Sequence, residues 1–192
     1  MSKSQQTIVF VLLLGLFASV LLVGMDAITR ERIEQNEAAL LQSAILDGFD
    51  IEYTFANIND VFEEDVTIHD IDGKIFYQDN VSGRLSFQFE GGGVWGPIIG
   101  ILTLESDLVT IAEITILEQE ETPGLGGVVA ERGYLDTFVG KRMTIDIVKG
   151  LTTLNNSQVD AITGATRTSD AFEALMNNDY NDYLAAWQAA ME

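Results

Sequence analysis

Thr7 to Met25 reads TIVFVLLLGLFASVLLVGM, and it holds no Asp, Glu, Lys or Arg. At about 1.5 Å of rise per residue, such a stretch crosses a hydrocarbon core of roughly 30 Å as one helix. A secretory leader has a shorter apolar stretch and a small-residue cleavage site. No convincing site precedes Asp26, so the expectation is a retained single-pass anchor over residues 1–25. Flanking charge does not orient it. Lys3 stands on one side, and Arg30 and Arg32 stand on the other among Asp26, Glu31 and Glu34.

The remainder is long enough for one domain. Ile33, Leu40, Leu41, Ala44 and Ile45 are spaced for an amphipathic helix from Arg30 to Leu46, ended by Gly48. Residues 26–50 therefore read as a connecting amphipathic helix and residues 51–192 as the functional domain. Strand signals follow at Ile51–Phe55, Val66–Ile71, Lys74–Tyr77, Arg84–Glu90, Ile98–Leu104, Ile111–Leu117 and Met143–Val148. Asp72-Gly73 between the second and third of these is a hairpin turn. Two helices, Ser169–Met176 and Tyr183–Met191, close the chain. The predicted class is α+β: one N-terminal spanning helix, then a mostly antiparallel sheet with flanking helices.

Ten Lys+Arg stand against 30 Asp+Glu, a formal net charge of −20. A surface of that sign repels phosphate backbones and anionic headgroups, so nucleic acid is excluded as a partner. No cysteine is present, which rules out disulfides, iron–sulfur clusters and thiolate zinc sites. The one histidine, His69, cannot build a multi-His metal centre, and its place in a strand predicts a surface imidazole. No catalytic acid or base and no metal site is expected.

Three segments ask for an explanation. Asp160-Ala-Ile-Thr163-Gly164-Ala165-Thr166-Arg167-Thr168 reads structurally as a helix start, with Thr168 or Ser169 as cap and Asp170 or Glu173 at capping-box spacing. The same geometry suits an anion, because a helix N-terminus offers free N–H groups and the positive end of its dipole. A threonine hydroxyl there could carry a phosphoester, attached by a separate enzyme because an alcohol is a weak nucleophile. Glu121-Thr122-Pro123-Gly124-Leu125-Gly126-Gly127 reads as a tight Pro-Gly turn or as a backbone cradle for a flat ring. Gly91-Gly-Gly-Val-Trp95 marks a bulge or the close approach of a ligand, with Trp95 by itself more typical of a core.

Together these segments resemble the FMN-binding subunits of two membrane complexes. These are the C subunit of the sodium-pumping NADH:quinone oxidoreductase and the G subunit of the Rnf complex. Asp160-Ala-Ile-Thr-Gly-Ala-Thr166 is similar to the family's flavinylation motif, Asp-x-x-Ser/Thr-Gly-Ala-Thr. Its last threonine carries FMN through the phosphate, placed there by a dedicated flavin transferase. Glu121-Thr-Pro-Gly-Leu-Gly126 is similar to the family's flavin-facing loop, and the single N-terminal span and the order of parts match as well.

The resemblance implies FMN bound covalently to Thr166. Asp160, Thr163, Gly164, Ala165, Arg167, Thr168, Glu121, Thr122, Pro123, Gly124, Leu125, Gly126 and Trp95 are the implied binding residues. Arg167 is a candidate to support the phosphate, whereas Lys141 and Arg142 read as ordinary surface. The implied partners are the other membrane subunits, the implied job is electron relay, and the implied side is outside the cytoplasm. Gly91-Gly-Gly-Val-Trp-Gly96 is closer to the quinone-reductase member, while the shorter strand region before it departs from that member, which leaves the two complexes open. The alternatives are a stand-alone membrane flavin reductase and a flavin-free anchored binding module.

Overall fold

A computed structural model describes residues 2–150 and 154–191. The chain divides into two units, residues 1–39 and 40–192. The first unit is the greater part of helix α1, Lys3–Gly48, which is long and apolar enough to cross a membrane. Its apolar side chains, from Ile8 through Met25 to Ile28, are exposed on all sides.

The second unit opens with the last turns of α1, where Ala44, Ile45 and Leu46 are buried. Gly48 ends the helix, as expected. Asp50 then takes a left-handed backbone (φ 58°), and the Ile51 amide bonds back to the Leu46 carbonyl. Helix α2 (Ile58–Asp65) leads into an antiparallel sheet of β1 (Val66–Ile71), β2 (Lys74–Asp79), β3 (Leu85–Gly92), β4 (Pro97–Leu104) and β5 (Ile111–Gln119). The strands lie in chain order, so every connection is a simple hairpin. The first turn is the predicted Asp72-Gly73 pair, with φ of 53° and 80° between the partners Ile71 and Lys74. Both residues left-handed is what a two-residue type I′ turn requires.

A 3-10 helix (Gly126–Ala130), the short helix α3 (Arg132–Leu135), the parallel pair β6 (Asp146–Val148) and β7 (Gln158–Asp160), and helix α4 (Thr166–Met191) complete the unit. The α+β class with a mostly antiparallel sheet is as predicted.

Strand alternation builds two cores. Phe76, Phe87 and Phe89 share one face and meet α4: Phe87 stacks on Tyr183 (4.4 Å), Phe76 meets Trp187 (5.1 Å) and Phe89 meets Phe172 (6.0 Å). The opposite face carries Ile101 and meets Ala44, Ile45, Leu46, Phe49, Ile58 and Phe62. On that face a buried hydroxyl pair, Ser86 with Thr103 (2.7 Å), satisfies itself. Arg84 fastens the end of α1 to the sheet, donating to Glu105, Asp50 and the Gly48 carbonyl.

Several expectations are corrected. Ile51–Phe55 is not a strand. The reversal at Asp50 sends it along the core edge with Ile51 and Tyr53 packed inward, and Phe55 ends 83% exposed. Helix α2 is an addition to the predicted elements. Of Met143–Val148 only Asp146–Val148 pairs, and its partner is β7. The two closing helices are one. Asn177 does not break it, because its side chain is spent on the Ile145 N–H (2.8 Å) and C=O (2.7 Å). His69 lies half-buried, bonded to Gln78 (3.0 Å) and edge-on to Trp187 (5.2 Å).

Phe172 is fully buried between Phe89 and Phe138. Phe172→Ala leaves a cavity at the seam of α4 and the sheet, and is expected to cost about 3–5 kcal/mol in chemical denaturation.

Candidate functional site

Glu121 leaves β5 into a turn whose shape follows from Pro123 and Gly124. The Leu125 amide bonds to the Thr122 carbonyl (3.1 Å), and Gly124 has φ +72°. Proline second and a left-handed glycine third define a type II turn. The Gly127 amide takes the same carbonyl (2.9 Å) and starts the 3-10 helix. Leu125 and Gly127 are thereby engaged, while the amides of Thr122, Gly124 and Gly126 meet no acceptor among the described residues.

The motif segment runs from the exposed end of β7 at Asp160 into α4. Gly164 is left-handed (φ +82°), a conformation glycine adopts freely. Ser169 ties the segment down, accepting from the Ile162 amide (3.1 Å) and donating to the Ala165 carbonyl (3.1 Å). The helix starts at Thr166, earlier than a cap at Thr168 or Ser169 would put it. Glu173 is drawn instead to the Ile147 amide (2.6 Å), and Asp170 is exposed, so no capping box forms. The first-turn amides of Thr166, Arg167 and Thr168 bond to no acceptor among the described residues.

These segments enclose one cleft of about 300 Å³. From the predicted set, Trp95, Glu121, Thr122, Leu125, Gly126, Gly164, Ala165, Thr166, Arg167 and Thr168 line it, and Val94 joins them unpredicted. Pro123, Gly124, Asp160 and Thr163 lie outside the lining. Trp95 is not a core residue; it is 72% exposed at the rim. Lys141 bonds to the Asn155 carbonyl (3.0 Å) and Arg142 pairs with Asp107 (3.6 Å), both away from the cleft.

The role of the Glu121 side chain is not legible in the sequence, where the residue reads only as part of a backbone cradle. That side chain is 4% exposed and accepts from the Val94 amide (2.6 Å), the Trp95 amide (3.0 Å) and the Thr168 hydroxyl (2.7 Å). Two of the glycines serve this carboxylate. A Cβ on Gly93 or on Gly126 would run into its oxygens. Burial pushes the Glu121 carboxyl up, but the bonds from Trp95, Thr168 and Val94 outweigh it and hold the group below its usual range. Beside the motif, the Tyr134 hydroxyl is buried without a partner among the described residues. Burial first, and the charge of Asp160 second, raise its pKa.

The geometry coincides with a known domain. Residues 93–181 match the model of the FMN-binding domain. The chain is similar to C subunits of Na(+)-translocating NADH-quinone reductases. It is 32% identical over 111 residues to the C subunit of the Na(+)-translocating NADH-quinone reductase of Haemophilus ducreyi, covering 52% of this chain and 43% of that one. Against the same subunit from Vibrio alginolyticus, the identity is 35% over 104 residues, 50% of this chain and 40% of the other. The matched stretch thus spans less than half the length of these curated relatives.

Two crystal structures share the fold. Shewanella oneidensis NqrC has a TM-score of 0.64 and 21% identity over 73% of this chain and 90% of that one. The C subunit of the Na(+)-translocating NADH-quinone reductase of Parabacteroides distasonis has a TM-score of 0.69 and 23% identity over 81% and 94%.

A carboxyl whose folded pKa is lowered contributes stability above its unfolded value, near 4.3. That contribution drains as pH falls through the lower folded value. Wild type and Glu121→Gln should therefore differ in stability at neutral pH and converge in acid denaturation below about pH 4.

Proposed function

We propose that this protein carries FMN as a phosphoester on Thr166 and relays electrons as a subunit of a membrane complex of the sodium-translocating NADH:quinone oxidoreductase type. The observation that carries the reading is the position of Thr166. It is the first residue of α4, it lines the cleft, and it belongs to a motif inside an FMN-binding domain. The free amides of Thr166, Arg167 and Thr168, with the helix dipole behind them, suit a phosphate. Arg167 adds a cation beside them.

The cleft fits the rest of the group. Trp95 and Leu125 are exposed apolar faces on its rim, suited to a flat ring. The amides of Thr122 and Gly126 remain free to donate to ring edges. Bound FMN supplies the redox chemistry, and the protein supplies position and tuning. At a net charge of −20, a covalent tether replaces affinity for an anionic phosphate with a high local concentration. A separate flavin transferase attaches the group.

On this reading, residues 1–25 anchor the chain, residues 26–50 connect, and residues 51–192 hold the flavin outside the cytoplasm. One span cannot form an ion pathway, so ion movement belongs to partner membrane subunits.

The test is mass spectrometry of the peptide from Asp160 to Arg167, purified from cells that make the transferase. The added nucleotide is expected on Thr166. A flavin-fluorescent band should persist on a denaturing gel and disappear in Thr166→Ala. An unmodified wild-type peptide would refute the assignment.

A further inference from the structure

We infer that Glu121 is a positioning residue: its carboxylate joins the two ends of the cleft and holds the Trp95 loop in place before any flavin is attached. The inference rests on the reading of this cleft as the FMN site.

The two carboxylate oxygens serve different segments. Oε1 accepts the amides of Val94 and Trp95, and Oε2 accepts the hydroxyl of Thr168 in the first turn of α4. The bonded partners lie 26, 27 and 47 residues away in the chain, so no local turn could replace the contact. No Lys or Arg pairs with Glu121 among the described residues. The buried charge is therefore met by hydrogen bonds alone, an arrangement that is costly unless every bond is made.

The loop needs such a clamp. The Trp95 indole lies largely in solvent, so core packing does not hold it. Apart from the Glu121 bonds, the loop is closed by the Gly93 amide on the Gly96 carbonyl (2.8 Å). Gly93 leaves room for Oε1 and Gly126 for Oε2. Three segments are thus shaped around one side chain. A fixed negative charge in that wall also opposes the addition of electrons to a flavin held there.

Substitution separates the two effects. A glutamine keeps an acceptor for both amides and can turn its NH₂ to the Thr168 oxygen, so Glu121→Gln removes the charge and keeps the brace. Glu121→Ala removes both. The first measurement is hydrogen exchange on the full chain in detergent, in a Thr166→Ala background that carries no flavin. Amides of the peptide spanning Gly92 to Ile98 should exchange about tenfold faster or more in Glu121→Ala. Glu121→Gln should restore most of the protection. If Glu121→Ala does not fold, Thr168→Val cuts only the α4 end and should move exchange the same way.

The second measurement is the midpoint potential of the flavin-loaded protein, which should rise in Glu121→Gln. Wild-type exchange in Glu121→Ala, or in Thr168→Val where that variant stands in for it, would overturn the brace. An unchanged potential in Glu121→Gln would overturn the electrostatic role. Absence of flavin from the wild type defeats the proposed function instead and leaves the exchange result standing.

Discussion

Helix α4 lies across one face of the sheet on a row of aromatic rings, and the position of every functional group at its start depends on that packing. Phe76, Phe87 and Phe89 alternate along β2 and β3, and Phe172, Tyr183 and Trp187 answer them from the helix. Each such contact adds modestly to area burial, but together they leave the helix little freedom to slide or rotate. Thr166 is the first residue of that rigid rod. Its amide and hydroxyl are therefore aimed by contacts made as far as about six turns away.

The other end of the cleft is held by electrostatics. The loop from Gly93 to Gly96 has no apolar side chain buried in the core, so its geometry comes from hydrogen bonds to Glu121. One buried carboxylate stands where a basic residue would be the simpler neighbour for a phosphate-bearing cofactor. Charge runs the same way through the molecule as a whole. Two arginines are paired with carboxylates of the same domain, Arg84 with Asp50 and Glu105, and Arg132 with Glu113 and Asp136. At a net charge of −20 the chain as a whole repels an anion from solution, which is the physical sense of the proposed covalent tether.

Much of the secondary structure is legible from local signals. The Asp72-Gly73 hairpin, the helix stop at Gly48 and the Pro123-Gly124 turn each depend on residues whose backbone preferences are strong enough to act alone. Weaker signals fail where tertiary contacts compete. The alternation of Ile51, Tyr53 and Phe55 reads as a strand, but the reversal at Asp50 leaves it no partner. The run of Asn and Asp from Asn177 to Asp182 reads as a break, yet Asn177 is held by the backbone of Ile145 and the helix passes through it.

Local sequence is enough to make an uncharged stretch into a membrane-length helix, to follow it with an antiparallel meander, and to set Thr166 in a motif at a helix start. Those features depend on neighbours a few residues apart, where periodicity and turn chemistry decide. It takes the folded chain to bring the segments around residues 95, 121 and 166 into one cleft, to turn Trp95 toward solvent, and to make Gly93 and Gly126 clear a space for the Glu121 carboxylate. Such facts need groups dozens of residues apart to meet, and only the packing of α4 against the sheet brings them together.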